Sequence, residues 1–117
     1  MDAKKFDHGK PRMSLIPAEP LRQVAQVLTF GAEKYDAHNW RQGMIWSRLL
    51  DASIRHIYAF SEGEDFDPES QISHLAHAIC NLMFLLEYSH SKVGQDDRFL
   101  KKSEKKCCNS GDCKVRY

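Results

Sequence analysis

Two stretches with a 3.6-residue hydrophobic period, joined by a short acid-rich loop, restrict this chain to a helical hairpin. The first opens at Ser47, a residue type that caps helix N-termini, and runs to about Ser61. At 100° per residue Leu49, Leu50, Ile57 and Phe60 fall on one side of it, and Arg48, Asp51, Arg55 and Glu62 on the other. The second is predicted from about Pro68, a first-turn proline, to Ser89. Ile72, Leu75, Ala76, Ile79, Met83 and Leu86 share one of its sides, with Ser70, His74, His77 and Asn81 opposite. The loop between them carries Glu62, Glu64, Asp65, Asp67 and Glu69, five carboxylates in eight residues. Antiparallel pairing of the two helices brings His56 to the same end as His74 and His77.

Each of these features also has an ordinary explanation. Acids ahead of a helix complement its dipole, Asp51 and Arg55 have the spacing of an exposed ion pair, and a border histidine often lines a core edge. His-x-x-His on one helical stripe, just past five carboxylates and facing a third imidazole, is equally a divalent-metal arrangement. Arg48 and Arg55 lie over the small Ala52 and Ala59, with room to clamp a polyphosphate.

Upstream, residues 1–17 lack helical period, contain Gly9, Pro11 and Pro17, and read as a basic arm. Its Lys5, Lys10 and Arg12 are candidate phosphate contacts. A helix is predicted from about Glu19 to Tyr35, with Leu21, Val24, Ala25, Leu28, Ala32 and Tyr35 on its apolar face. The following loop holds Asn39, Trp40, Arg41 and Trp46. The tryptophans suit core anchoring; in a nucleotide-binding protein Trp40 would stack a base, Asn39 read its edge and Arg41 face phosphate. From Ser91 the composition turns to Lys, Ser, Asp and Gly, so a short helix at most is expected before a disordered tail. The division is an arm (1–17), an all-α body (18–91) and a basic, Cys-containing tail (92–117).

The chain's net charge of +1 makes no case for nucleic-acid binding; arm and body together, residues 1–91, carry nine Lys/Arg against twelve Asp/Glu, a net of −3, and the tail a net of +4. No run approaches the roughly 18 apolar residues of a membrane span, and the N-terminus has no signal-peptide core. A cytoplasmic protein with reduced thiols is expected. Cys80 sits in an apolar helical pattern, and Cys107, Cys108 and Cys113 fall short of a zinc spacing. A body of this size has little core of its own, so an all-α hairpin bundle completed by homo-oligomerisation is expected. The chain has no Walker loop, no G-x-S-x-G, no dinucleotide fingerprint and no His-Asp doublet. What remains suits metal-assisted attack of water on a phosphoanhydride.

Several strings together carry a resemblance: K-F-D-x-G-K-P-R (Lys5–Arg12), L-T-F-G-A-x-K-Y (Leu28–Tyr35), N-W-R-x-G-M-x-W-S-R-L (Asn39–Leu49), G-E-D-x-D-P-E-S (Gly63–Ser70) and H-L-A-H-A-x-C-N (His74–Asn81). Over about residues 4–90 the chain resembles the phage dATP/dGTP diphosphohydrolase N-terminal family, a MazG-like, MazZ-type group. The resemblance implies a fold related to the all-α NTP pyrophosphatases. It also implies hydrolysis of a purine deoxynucleoside triphosphate, dGTP or dATP, to monophosphate and pyrophosphate with Mg²⁺ or Mn²⁺, in the host cytoplasm if phage-encoded. MazG enzymes bind metal through E-x-x-E and E-x-x-D, whereas the corresponding helices here offer Asp51 and His56, then His74, His77 and Asn81. The expected metal set is therefore His56, Asp67, Glu69, His74 and His77, with Glu64, Asp65 and His56 as acid–base groups. Imidazole ligands shift the preference towards Mn²⁺, Co²⁺ or Zn²⁺. Lys5, Lys10, Arg12, Arg41, Arg48 and Arg55 are expected on phosphate, with Asn39 and Trp40 on the base. The competing readings are a non-enzymatic nucleotide- or protein-binding helical module and a dNTP triphosphohydrolase.

Overall fold

Periodicity of 3.6 produces three helices, and the computed structural model, which describes residues 2–100, is all-α with no strand among them. Cys107, Cys108 and Cys113, with most of the expected basic tail, lie outside the described residues. Helix α1 spans Ala18–Tyr35. Pro20 lies in its first turn, where the backbone N–H it lacks would have no partner anyway. The helix stops at Asp36, whose φ of 91° turns the chain while its N–H bonds the Ala32 carbonyl at 3.0 Å. A 3-10 turn over Asn39–Gln42 then lays Trp40 against the third helix.

Helix α2 spans Trp46–Ser61, and Ser47 is not its cap. Its cap comes from residues almost fifty positions away. The Ser47 N–H and hydroxyl both donate to the Asp97 carboxylate, at 3.0 and 2.5 Å, and the Trp46 N–H donates to the Gln95 carbonyl at 2.9 Å. A carboxylate there satisfies orphan donors and sits at the positive end of the helix dipole. The Trp46 indole N–H adds a bond to the Val93 carbonyl, 2.9 Å. Residues 93–97 therefore form neither the short helix nor the disordered tail expected from their composition. They make an extended strap bridged to Ile45 through Gln95.

Helix α3 spans His74–Ser91, starting six residues later than the Pro68 expected. Asp67-Pro68-Glu69-Ser70 closes on itself instead. The Asp67 carboxylate accepts from the Ser70 N–H (3.0 Å), the Asp67 N–H reaches the Ile72 carbonyl (2.9 Å), and Gln71 takes φ 62°. This local side-chain bonding competes with the helix and leaves Ser73 as the cap, its hydroxyl accepting from the Leu75 N–H at 3.1 Å.

Helix α3 is central, with α2 and α1 both packed on it. The core gathers Trp46, Leu49 and Tyr88, joined by Trp40, Met44, Phe84, Leu85 and Val93. Tyr88 is 1% exposed, and its hydroxyl donates to the Trp40 carbonyl, which ties the loop to α3. Burial of an aromatic of this size contributes about 2–3 kcal/mol. The opposite side of α3 has no such cover: Leu75, Ile79, Leu82 and Met83 are 40–46% exposed and Leu86 72%. Ile54, Ile57 and Phe60 of α2 are similarly open.

Candidate functional site

The hairpin end does gather the imidazoles. His56 comes from α2, His74 and His77 from the first turn of α3, and the loop over 62–73 folds across them. The His74 N–H donates to the Asp65 carbonyl (3.0 Å) and the Glu64 N–H to the Ala59 carbonyl (3.0 Å), so both ends of the loop are fixed by backbone bonds.

His74 is 4% exposed and has both ring nitrogens engaged. Its Nε2 lies 2.6 Å from Glu64 Oε1 and its Nδ1 lies 2.8 Å from His56 Nδ1. A carboxylate only accepts, so Nε2 carries the proton and Nδ1 keeps a lone pair. This is the arrangement in which a carboxylate orients a metal-ligating histidine. His56 stacks on His77, ring centroids 4.7 Å apart and 10° from parallel. His77 Nε2 lies 2.6 Å from the Ser70 hydroxyl, which also accepts from the Ile72 N–H. His56, Asp67 and His74 each offer one ligand atom, all within 4.8 Å of one another, a spacing that a divalent ion with bonds of about 2.0–2.4 Å can span. The donor set is compatible with such an ion.

The remaining expected residues divide. Glu64 touches His74, but the part of Asp65 that enters the cluster is its backbone carbonyl. Glu69 turns away to pair with Lys34 of α1 at 2.6 Å, so it is not among the grouped donors. Lys34 falls within the L-T-F-G-A-x-K-Y string, but nothing in that string assigns it a partner. Arg48 and Arg55 are exposed on α2, and Lys5, Lys10 and Arg12 are exposed on the arm. Arg41 Nε donates to His38 Nδ1 (2.9 Å) and its guanidinium sits 4.6 Å from the Trp40 ring centre. Phe84 stacks on the same indole at 4.5 Å, so the Trp40 ring is already engaged by protein; Asn39 is exposed. Asn39, Trp40 and Arg41 do line a groove of about 450 Å³ between α1, the 36–41 turn and α3. Cys80 lies behind it; burial pushes its thiol up to about 11, so it supplies no thiolate nucleophile.

Burial and neighbouring imidazoles hold His56 below the usual histidine range, and burial does the same to His77 against the pull of Asp67. Burial would raise Asp67, but hydrogen bonds from Ser70 and the facing imidazoles outweigh it and hold the carboxyl low. Both histidines therefore stay neutral, and able to ligate, to lower pH than a free imidazole. Stability follows with a definite sign. The unfolded chain protonates these histidines near pH 6.5, before the folded chain does, so stability is full above about pH 6.5 and falls below it. The Asp67 contribution persists until the pH drops below about 4. In chelator-treated protein, the midpoint of thermal unfolding is expected to be flat from pH 8 to 7 and to decline as the pH falls below about 6.5. A flat profile through that range contradicts the assignment.

Fold and site together define an all-α protein with a histidine–carboxylate cluster at one end of a hairpin and a groove beside it. The chain belongs to the family described as dATP/dGTP diphosphohydrolase, N-terminal, whose model matches residues 1–98. Over 98 residues it is 41% identical to a protein of Salmonella phage PMBT28 named dATP/dGTP diphosphohydrolase, a match covering 84% of this chain and 33% of that protein. The chain thus spans about a third of the length of that relative. No solved structure matches.

Proposed function

We propose that this chain carries a metal-dependent diphosphohydrolase site that converts dGTP or dATP to the monophosphate and pyrophosphate. The observation that supports it most is His74 held between Glu64 and His56, with Asp67 close enough to complete a donor set. The name of the phage relative supplies the substrate class. A divalent ion there, Mg²⁺ or Mn²⁺ with Co²⁺ or Zn²⁺ as alternatives, would supply positive charge for the phosphoanhydride and lower the pKa of a water.

The chain's own groups then have distinct tasks. Glu64 keeps the His74 proton on Nε2, which leaves Nδ1 as the atom that would hold the ion. Ser70 and His77 hold Asp67 and His56 from the outer side. Asp65, whose backbone carbonyl binds the His74 N–H while its carboxylate is exposed on the same loop, would take the proton from water. Arg48 and Arg55 of α2, with Arg41 and the arm residues Lys5, Lys10 and Arg12, neutralise the phosphates. The open apolar side of α3 suits a homo-oligomer, for which sedimentation of the full chain at several concentrations is the check; a monomer at all of them removes that part.

Product analysis with each dNTP, with Mg²⁺ or Mn²⁺ and with chelator, tests the reaction. Monophosphate plus pyrophosphate, lost with chelator, is expected. Nucleoside plus triphosphate makes it a triphosphohydrolase, and no turnover in folded, metal-loaded protein leaves a binding module.

A further inference from the structure

The groove beside α3 contains a glycine that packing does not require. Gly31 lies mid-helix in α1, where glycine is less favourable than alanine by about 1 kcal/mol. It does not have a positive φ, and a Cβ built there meets nothing within 4 Å. The backbone would accept a side chain and nothing crowds one out. What a side chain would fill is the groove, which Gly31 lines.

Three further features point to the occupant. Tyr35, one helical turn from Gly31, lines the groove and is 56% exposed, with the Lys34 ammonium 5.2 Å from its ring centre. Trp40 lacks such freedom, because Phe84 and Arg41 already lie on its ring. Asn81 lines the same groove from α3, and among the described residues nothing hydrogen-bonds its amide. Asn81 follows His77 by four residues, a rise of about 6 Å along the helix, a spacing that a sugar fills between a phosphate and a base. Arg41 also lines the groove, a cation suited to a polyanionic ligand whose uncharged end enters it.

We infer that the α1–α3 groove receives the purine nucleoside end of the substrate, with Gly31 making the room, Tyr35 the stacking surface and Asn81 the polar contact. This rests on the proposed reading of the hairpin end as the phosphate and metal site. The assignment moves base stacking from Trp40, which sequence pattern favours, to Tyr35. Asn81 continues the His74–His77 stripe, so one helix face spans metal cluster and base.

The test is equilibrium binding of dGTP, as its uncleavable α,β-imido analogue, and, separately, of inorganic tripolyphosphate to the full chain with Mn²⁺, for wild type, Gly31→Leu and Tyr35→Ala, alongside turnover of dGTP itself. Gly31→Leu removes no contact and favours the helix, so its melting temperature is expected to equal or exceed that of wild type. Both variants are expected to weaken dGTP binding about tenfold or more, with tripolyphosphate affinity changed less than about twofold. If Gly31→Leu fails to fold, Tyr35→Ala carries the test from an exposed position. Unchanged dGTP affinity in a folded variant, or equal losses for dGTP and tripolyphosphate, overturns the groove assignment. Wild-type protein that binds no dGTP overturns both the groove and the hydrolase reading. Binding that the variants weaken, without any turnover, supports the groove and removes the hydrolase.

Discussion

Replacing His74 with alanine is expected to lower turnover of dGTP or dATP by about a hundredfold or more and to weaken Mn²⁺ binding in parallel. The imidazole is buried and bridges Glu64 and His56, so its loss removes one ligand and releases the neighbours that fix the others. A buried side chain also supports the fold, and His74→Ala alone does not separate the two roles. Glu64→Gln does. The Glu64 side chain is half exposed and touches the site only through His74 Nε2, so the fold should survive its neutralisation. Its amide no longer enforces a protonated Nε2, and metal affinity is expected to fall 10- to 100-fold, the usual cost of losing an orienting partner. Raising Mn²⁺ should restore turnover in Glu64→Gln but not in His74→Ala. Metal titration by calorimetry, alongside initial rates, reads both. Unchanged metal affinity and turnover in a folded His74→Ala protein would remove the three-donor site.

How much of this was readable in the sequence follows from which forces leave a periodic trace. Helices α1 and α2 were readable because apolar residues recur every 3.6 positions, and their predicted ends fall within a residue or two of those found. The histidine cluster was readable for the same reason, since His74 and His77 share a stripe and a hairpin must bring His56 towards them. The start of α3 was not. Pro68 with flanking acids is a good helix opening, yet the Asp67 carboxylate and Ser70 bonded each other and closed a turn first. Glu69, expected with the imidazoles, was displaced by that turn towards Lys34. The strap was invisible because its bonds join residues 47 to 51 positions apart, with no repeat to announce them. The groove was invisible too, although the mid-helix Gly31 is in hindsight its one local sign.

Gly94→Ala is expected to be the most damaging single methyl in the fold. The strap runs so close to residues 43–46 that Gly94 and Gly43 face each other, and both have positive φ, 76° and 97°. A Cβ on Gly94 would overlap the Met44 carbonyl oxygen and lie 3.1 Å from the Trp46 indole nitrogen. The first contact is with backbone, which has no rotamer to move into. That carbonyl also accepts the Gln95 N–H at 3.2 Å, so relief of the clash loosens the bridge itself. Three consequences add: left-handed strain on a residue with a Cβ, loss of the bond from the Trp46 indole to Val93, and loss of the Asp97 cap on α2. Together they are expected to cost about 3 kcal/mol, a large part of the 5–15 kcal/mol that holds a typical domain folded. The melting temperature should fall by roughly 10–20 °C, and Trp46 fluorescence should shift to the red as the indole gains water. Gly63→Ala is the matched control. Gly63 also has positive φ (102°), but a Cβ there meets nothing within 4 Å, so it should show the backbone strain alone. Equal effects at the two glycines would mean that the strap does not press on α2, and that α2 starts without help from Asp97.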